Sequence, residues 1–335
     1  MNVIIAELDS DLSVPYLGSV RVSRVVLVAA AGCLTLPSAA LAASGTATVP
    51  PTGESVEFGS WTGVRFRILI DPDWLAADED HVYIQSAEHV YALDPETGAI
   101  VTSVESAMDH CQGIGAGLGG VWTCSGTDVI PIDQHNGTTG TPIPINKAVE
   151  QGHLPTGFDR LWVLTNGGST LVALEPETGD VTGEVALDAR CFDVAVDQAS
   201  VWLVCALDDV MLRIDPASLE VVDRIDVTEP RGVAFSEGAV WVGGVGAVVR
   251  LDPETLGIVA TIDGGVGREG GIAADDDAVW VRRAGAPLTR IDTATNEVTD
   301  KLDLGVPRGG DVIVAHGAVW TTSAEDQALF RIELH

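Results

Sequence analysis

Basic residues are scarce in this sequence. Its 335 residues include two lysines, Lys147 and Lys301, and 18 Lys plus Arg in all against 49 Asp plus Glu, a formal net charge of -31. A surface of that sign repels the phosphates of nucleic acids and of anionic lipids, so neither is expected as a partner. The acidity reads instead as a solubility device or an adaptation to high salt, and composition does not choose between them. CxxC and HxxxH spacings are also missing, so no metal site is expected, even with His110 beside Cys111. Helical periodicity is absent from the repeated part of the chain, which argues against a layer of helices covering a sheet. Apolar residues are not scarce: at 46% of the chain they are ample for a sizeable core.

The longest apolar run lies near the start. Arg21 and Arg24 precede VVLVAAAGCLTL and the small-residue stretch Ala40-Leu41-Ala42, so residues 1–43 read as a signal peptide and the protein as secreted or extracytoplasmic. Glu7, Asp9 and Asp11 do not suit a signal n-region, which places the expected true start near Val20. AAGC, ending at Cys33, offers a lipid-anchored alternative, but Ala30 stands where leucine is usual and the apolar run continues past the cysteine, which favours a discarded signal. Residues 44–63, polar and proline-containing, read as a linker, and no transmembrane segment is expected in the mature chain.

Beyond the linker a short pattern returns seven times: HVYI, GVWT, RLWV, SVWL, AVWV, AVWV and AVWT. Its aromatic anchors are Tyr83, Trp122, Trp162, Trp202, Trp241, Trp280 and Trp320, spaced 39 or 40 residues apart. After each anchor a second apolar segment ends in an acid, at Asp94, Asp133, Glu175, Asp215, Asp252, Asp292 and Glu333. Turn sequences such as DPETG, DPASL and DTATN follow most of them. Each unit therefore reads as four short strands, A to D; in the fifth these are GVAF, AVWVG, VVRLD and IVATID. Four antiparallel strands per period without helices are accommodated by radial stacking, so residues 64–335 are expected to form an all-β, seven-bladed beta-propeller. The chain stops after strand C of the seventh unit, and Val64 to Ile70 reads as a D strand with nothing before it. The N-terminal strand is thus expected to close the last blade.

Cys111 and Cys191 each stand 11 residues before a tryptophan, at the head of strand A, and Cys124 and Cys205 close strand B. The open ends of an A–B hairpin face each other at disulfide spacing, which predicts the pairs Cys111 with Cys124 and Cys191 with Cys205 and agrees with an oxidising compartment.

The VWV, RIDPxT and Pro-x-Gly-hydrophobic-Ala elements resemble the repeats of exported YVTN-type and streptogramin-lyase-like propellers, over roughly residues 64–335. VYALDPETGAI is also similar to a quinoprotein repeat, without the tryptophan such repeats carry after TG. The resemblance implies the fold. It carries over no lyase chemistry, because no VW strand here supplies the glutamate of the Trp-Phe-Thr-Glu strand found in the lyases.

In propellers the D-to-A and B-to-C connections share one face, and the D-to-A segments here hold His110, Lys147, His153, Arg190, Arg231, Arg268 and Arg308. The opposite face collects acids, among them Asp78 to Asp80 and Asp275 to Asp277. Arg213, Arg250, Arg290 and Arg331 recur two places before the strand-C acid and read as scaffold. Two readings stand for the arginines of the mouth. Arg231 and Arg308, both in PRG contexts, suit struts between blades. Alternatively the set forms a cationic funnel, with Glu229, Glu269 and Asp311 nearby, for a carboxylate- or phosphate-bearing ligand or an acidic peptide. His110 and His153 are the candidates for acid–base work, but no nucleophile, base and orienting group stand together in the sequence. The expectation is a monomeric, non-enzymatic exported binding or scaffold propeller, without a cofactor, that recognises a protein, peptide or anionic ligand at the channel face. The alternative is a small-molecule lyase or hydrolase at the same mouth, with a divalent metal held by channel carboxylates.

Overall fold

The period of about 40 residues becomes a ring of seven antiparallel sheets. A computed structural model describes residues 53–68, 71–105, 113–145, 152–268 and 270–334; the proposed signal peptide lies outside the described residues. Among the described residues there is no helix, and none long and apolar enough to cross a membrane. Blade 4 shows the unit in its regular form, with strands Asp193–Val196, Val201–Cys205, Val210–Asp215 and Glu220–Asp226. Blade 5 follows with Pro230–Ser236, Ala239–Gly244, Ala247–Leu251 and Ile258–Asp263, within a few residues of the strands read from the sequence.

Each anchor has a structural reason. Trp162, Trp202, Trp241, Trp280, Trp320 and Tyr83 are fully or almost fully buried on strand B, between adjacent blades. Burying a ring of about 200 Å² contributes roughly 5 kcal/mol. Most also use the polar end of the ring, reaching back five residues to the A–B turn. Trp202 Nε1–H donates to Asp197 Oδ2 (2.9 Å), Trp241 to Ser236 Oγ (2.9 Å), Trp162 to the Gly157 carbonyl (3.1 Å) and Trp320 to that of Ala315 (3.2 Å). Tyr83 makes the same reach with its hydroxyl, to Asp78 Oδ2 at 2.7 Å. The apolar core is therefore divided into clusters between blades: Trp162, Leu164 and Leu171 of blade 3, for example, pack on Val194, Leu203 and Leu212 of blade 4.

The acid ending strand C works locally. Asp94, Asp133, Asp215, Asp252 and Asp292 each accept the backbone N–H groups two and three residues on, closing the turn into strand D. Those hydrogen bonds, joined by side-chain donors at the third residue and led at Asp133 by the Asn136 side chain, hold all five carboxyls below the usual carboxylate range. The acids expected on this face have the same task, since Asp78 and Asp275 cap A–B turns.

The seam closes as expected in kind and differs in detail. Trp61–Arg67 pairs antiparallel with strand C of blade 7, Ala328–Glu333, in the register Gly63 to Ile332 through Arg67 to Ala328. This strand begins three residues earlier than the predicted Val64, because Trp61 is drawn edge-on against Trp280 at 5.2 Å. Glu54–Phe58, inside the stretch read as linker, forms a fifth, outermost strand of the same blade. Its alternation places Val56 and Phe58 inward, with Phe58 against Phe330 at 6.4 Å, and its charged residues outward; acid content and nearby prolines masked that period in the sequence. Blade 2 is irregular at its rim. Thr138–Thr139 and Ile143–Pro144 both pair with Asp128–Asp133, since Pro142 and Pro144 have no N–H for a continuous ladder.

Candidate ligand-binding site at the channel mouth

The position nine residues before each anchor stands at the head of strand A. Around the ring it is occupied by Trp74, Gly113, His153, Asp193, Gly232, Gly271 and Asp311. Four side chains therefore share this level, and the ring closure brings them together. The His153 Nδ1–H donates to Asp193 Oδ1 (3.0 Å) and its Nε2–H to Asp311 Oδ2 (3.2 Å), while Trp74 meets the imidazole edge-on at 5.0 Å. Both carboxylates are fixed in turn. Asp311 accepts the N–H groups of Val312 (2.8 Å) and, across the seam, Leu75 (2.9 Å); Asp193 accepts that of Val194 (2.9 Å). Burial alone pulls His153 down, but the charges and hydrogen bonds of Asp193 and Asp311 outweigh it and hold the ring well above the ordinary histidine value. His153 is thus an imidazolium at neutral pH, tying blades 3, 4 and 7 together.

The glycines of blades 5 and 6 leave their half of the ring open; a Cβ at Gly271 would already stand 3.0 Å from Asp311 Oδ1. The result is a cavity of about 860 Å³ lined by the heads of the A strands, with His153, Asp193, Asp311 and Asp73 among its polar groups and Arg231, Arg268 and Arg308 at its rim. Burial, then the charges of Asp311 and Asp71, push Asp73 up to about 6. Its carboxylate accepts no hydrogen bond among the described residues.

The three arginines differ. Arg268 pairs with Glu229 (3.1 Å) and Arg308 with Glu325 (2.9 Å), with side chains 70% and 48% exposed, so these pairs contribute little to stability. Arg231 lies over the Phe192 ring, its guanidinium carbon 5.4 Å from the centroid, and its Nε is buried without a hydrogen-bond partner. Behind the rim, fully buried Arg282 donates Nη1–H to the Arg283 carbonyl (3.1 Å) and Nη2–H to the Arg308 carbonyl, fixing the segment that presents Arg308. Burial lowers Arg282 to about 10, against the opposing charge of Asp326, so it stays charged.

Of the residues singled out from sequence, His153, Arg231, Arg268, Arg308 and Asp311 come together at this cavity, with Glu229 paired at its edge. His110, Lys147 and Glu269 lie outside the described residues. Arg190 does not line the cavity. Cys191 is bonded to Cys205 and donates its N–H to the Gly168 carbonyl (3.0 Å), which holds that segment against blade 3 and leaves the preceding arginine exposed, its own N–H on Asp208. The second expected disulfide is described at one end: Cys124 is disulfide-bonded, and Cys111 lies outside the described residues. Among the described residues no three His, Cys, Asp or Glu side chains are placed to hold a metal ion. Asp73, Trp74 and Asp193 were not foreseen. The signal for two of them was present: alignment on the anchors puts Trp74 and Asp193 at the same offset as His153 and Asp311.

No protein-family model matches the chain, and no curated protein compared with it is similar. The functional reading rests on the site.

Proposed function

We propose that the protein is an exported binding propeller that takes a small anionic ligand, or the anionic end of a peptide, in its channel mouth. The observation that carries this reading is Arg231: a guanidinium on the cavity wall, over the Phe192 ring, with no counter-ion among the described residues. Inside a concave site of lowered dielectric such a charge attracts an oxyanion strongly, while the acidic exterior turns anions away elsewhere. The cavity volume falls in the usual range for small-molecule sites. Export is supported by the Cys191–Cys205 disulfide and by the resemblance of the repeats to YVTN-type and streptogramin-lyase-like propellers. Binding is favoured over lyase or hydrolase chemistry by the state of His153. Both its ring nitrogens are engaged with carboxylates, so it has no lone pair to accept a substrate proton.

The test is calorimetric titration of the mature protein with small mono- and dicarboxylates and short acidic peptides at low and high salt. Binding is expected to weaken with salt and to fall roughly ten- to hundredfold in Arg231→Gln with Arg268→Gln, at an unchanged melting temperature. A double variant that binds normally yet melts several degrees lower would make these arginines struts between blades.

A further inference from the structure

The cavity holds two charged groups that have no partner among the described residues, and they have opposite signs. Arg231, at the head of blade 5, makes no ion pair or hydrogen bond through its guanidinium among the described residues. Asp73, just before strand A of blade 1, is half-buried beside Asp311, and its carboxylate takes no donor among the described residues. Every other acid of this cluster is satisfied: Asp193 and Asp311 receive the two His153 N–H groups and backbone amides, and Glu229 and Glu325 hold the outer arginines. Buried polar groups are ordinarily paired, and a half-buried charge left alone on each of two walls is a complementary imprint. Blades 1 and 5 are not neighbours in the ring, so the two charges face one cavity from different sides. Between them the wall is small and apolar, with Gly232, Gly271 and Ala273 leaving room for a chain.

Building on the anion-binding reading above, we infer that the ligand is a short linear zwitterion, an unblocked oligopeptide being the simplest case, with its carboxylate on Arg231 and its ammonium on Asp73. A purely anionic ligand would meet the unpaired Asp73 charge as well as Arg231, and repulsion there would offset much of the gain. An ammonium group removes that repulsion and donates to the carboxylate, a charge-assisted contact of the stronger kind. Asp73→Asn is isosteric and Arg231→Gln leaves a shorter polar side chain, so each removes one charge without filling the cavity.

The experiment is equilibrium dialysis of the mature protein against a mixed-sequence tripeptide pool in three forms: free, N-acetylated and C-amidated. The free pool is expected to be retained roughly ten- to hundredfold better than either blocked pool. In Asp73→Asn that preference over the acetylated pool should vanish while the acetylated pool binds at least as well as before. In Arg231→Gln the preference over the amidated pool should vanish. Equal retention of free and acetylated pools by the parent protein, or undiminished binding of the free pool by Asp73→Asn, would overturn the zwitterion. If the acetylated pool is retained as well as the free one and both are lost in Arg231→Gln, the anion site stands and only its zwitterionic character falls. If neither peptides nor simple carboxylates are retained, both readings fall.

Discussion

Two groups of arginines can be compared in one molecule. On strand C, Arg213, Arg250 and Arg331 each lie over the tryptophan of the neighbouring strand B, at 5.7, 5.1 and 5.8 Å from Trp202, Trp241 and Trp320. Each is the direct cross-strand partner of that tryptophan. At the mouth, Arg231, Arg268 and Arg308 share no common partner: an aromatic face, Glu229 and Glu325 respectively. The first group recurs at a fixed offset because each copy answers the same local need, covering a ring with a cation and an aliphatic stem. The second group does not keep such a context, and of the two groups Arg231 is the one whose guanidinium makes neither an ion pair nor a hydrogen bond among the described residues. Arg290 shows how firmly the first rule holds. Its cross-strand partner is Trp280, yet its guanidinium sits over Trp61 at 5.9 Å, because the N-terminal strand has placed a second ring at that face. The PRG contexts of Arg231 and Arg308 look alike in sequence but lie at different distances from their anchors, and one arginine stacks while the other forms an ion pair.

The comparison between scaffold and mouth can be broken most severely at the seam. Removing residues 54–67 takes two strands from blade 7 and exposes the edge of Ala328–Glu333, so no cooperative thermal transition is expected by circular dichroism. Next, Trp241→Ala should cost about 3–5 kcal/mol in urea unfolding, against roughly 2 kcal/mol for Arg250→Ala, which loses the stacked cation and the Nη1–H hydrogen bonds to the Thr293 carbonyl and Asn296 Oδ1 in the next blade.

At the mouth, effects should depend on pH. The folded-state pKa of His153 is raised, so its contribution is fully present below the unfolded value near 6.5 and is lost as pH rises through the higher folded value. The charged and titratable groups in direct contact with it or beside that contact are Asp193, Asp311 and Asp73. His153→Gln should therefore lower stability by roughly 1–3 kcal/mol at pH 6 and by less at alkaline pH, as read from urea midpoints across that range. Asp73 changes stability in the opposite sense when it is removed. Its pKa near 6 means that the folded state binds the proton more tightly than the unfolded chain, so stability falls as pH rises from about 4 to 6. Asp73→Asn should be more stable than the parent at pH 7 by the order of 2 kcal/mol and equal to it below about pH 4. A gain in stability at a cavity-lining residue is the mark of a group held for binding. The smallest effect belongs to Arg231→Gln, within about 0.5 kcal/mol of the parent at any pH; a larger loss would move Arg231 into the scaffold group.

The fold was legible because its causes are local and repeated. Anchors, strand-C acids and turn residues announced themselves by spacing, and even the Cys191–Cys205 pair followed from strand alignment. The outermost strand Glu54–Phe58 was missed because it occurs once, outside the repeat, with acids masking its alternation. At the site, the sign of Arg231, Arg268 and Arg308 singled them out and they line the cavity, while Arg190, singled out on the same ground, does not, because sign says nothing of direction.

What the sequence determined by itself is the period: how many blades form, which ring anchors each, and which strand borrows its partner from the chain start. Those outcomes depend on alternation and turn chemistry within some 40 residues, where burial of one face selects the register. The convergence of His153 on Asp193 and Asp311, 40 and 158 residues away, was decided only by closure of the ring. The same offset in seven blades becomes one shared level around a channel, and side chains that look unrelated along the chain become neighbours. Whether a charge there finds a partner depends on which blades meet across the closed ring, and no local pattern carries that information.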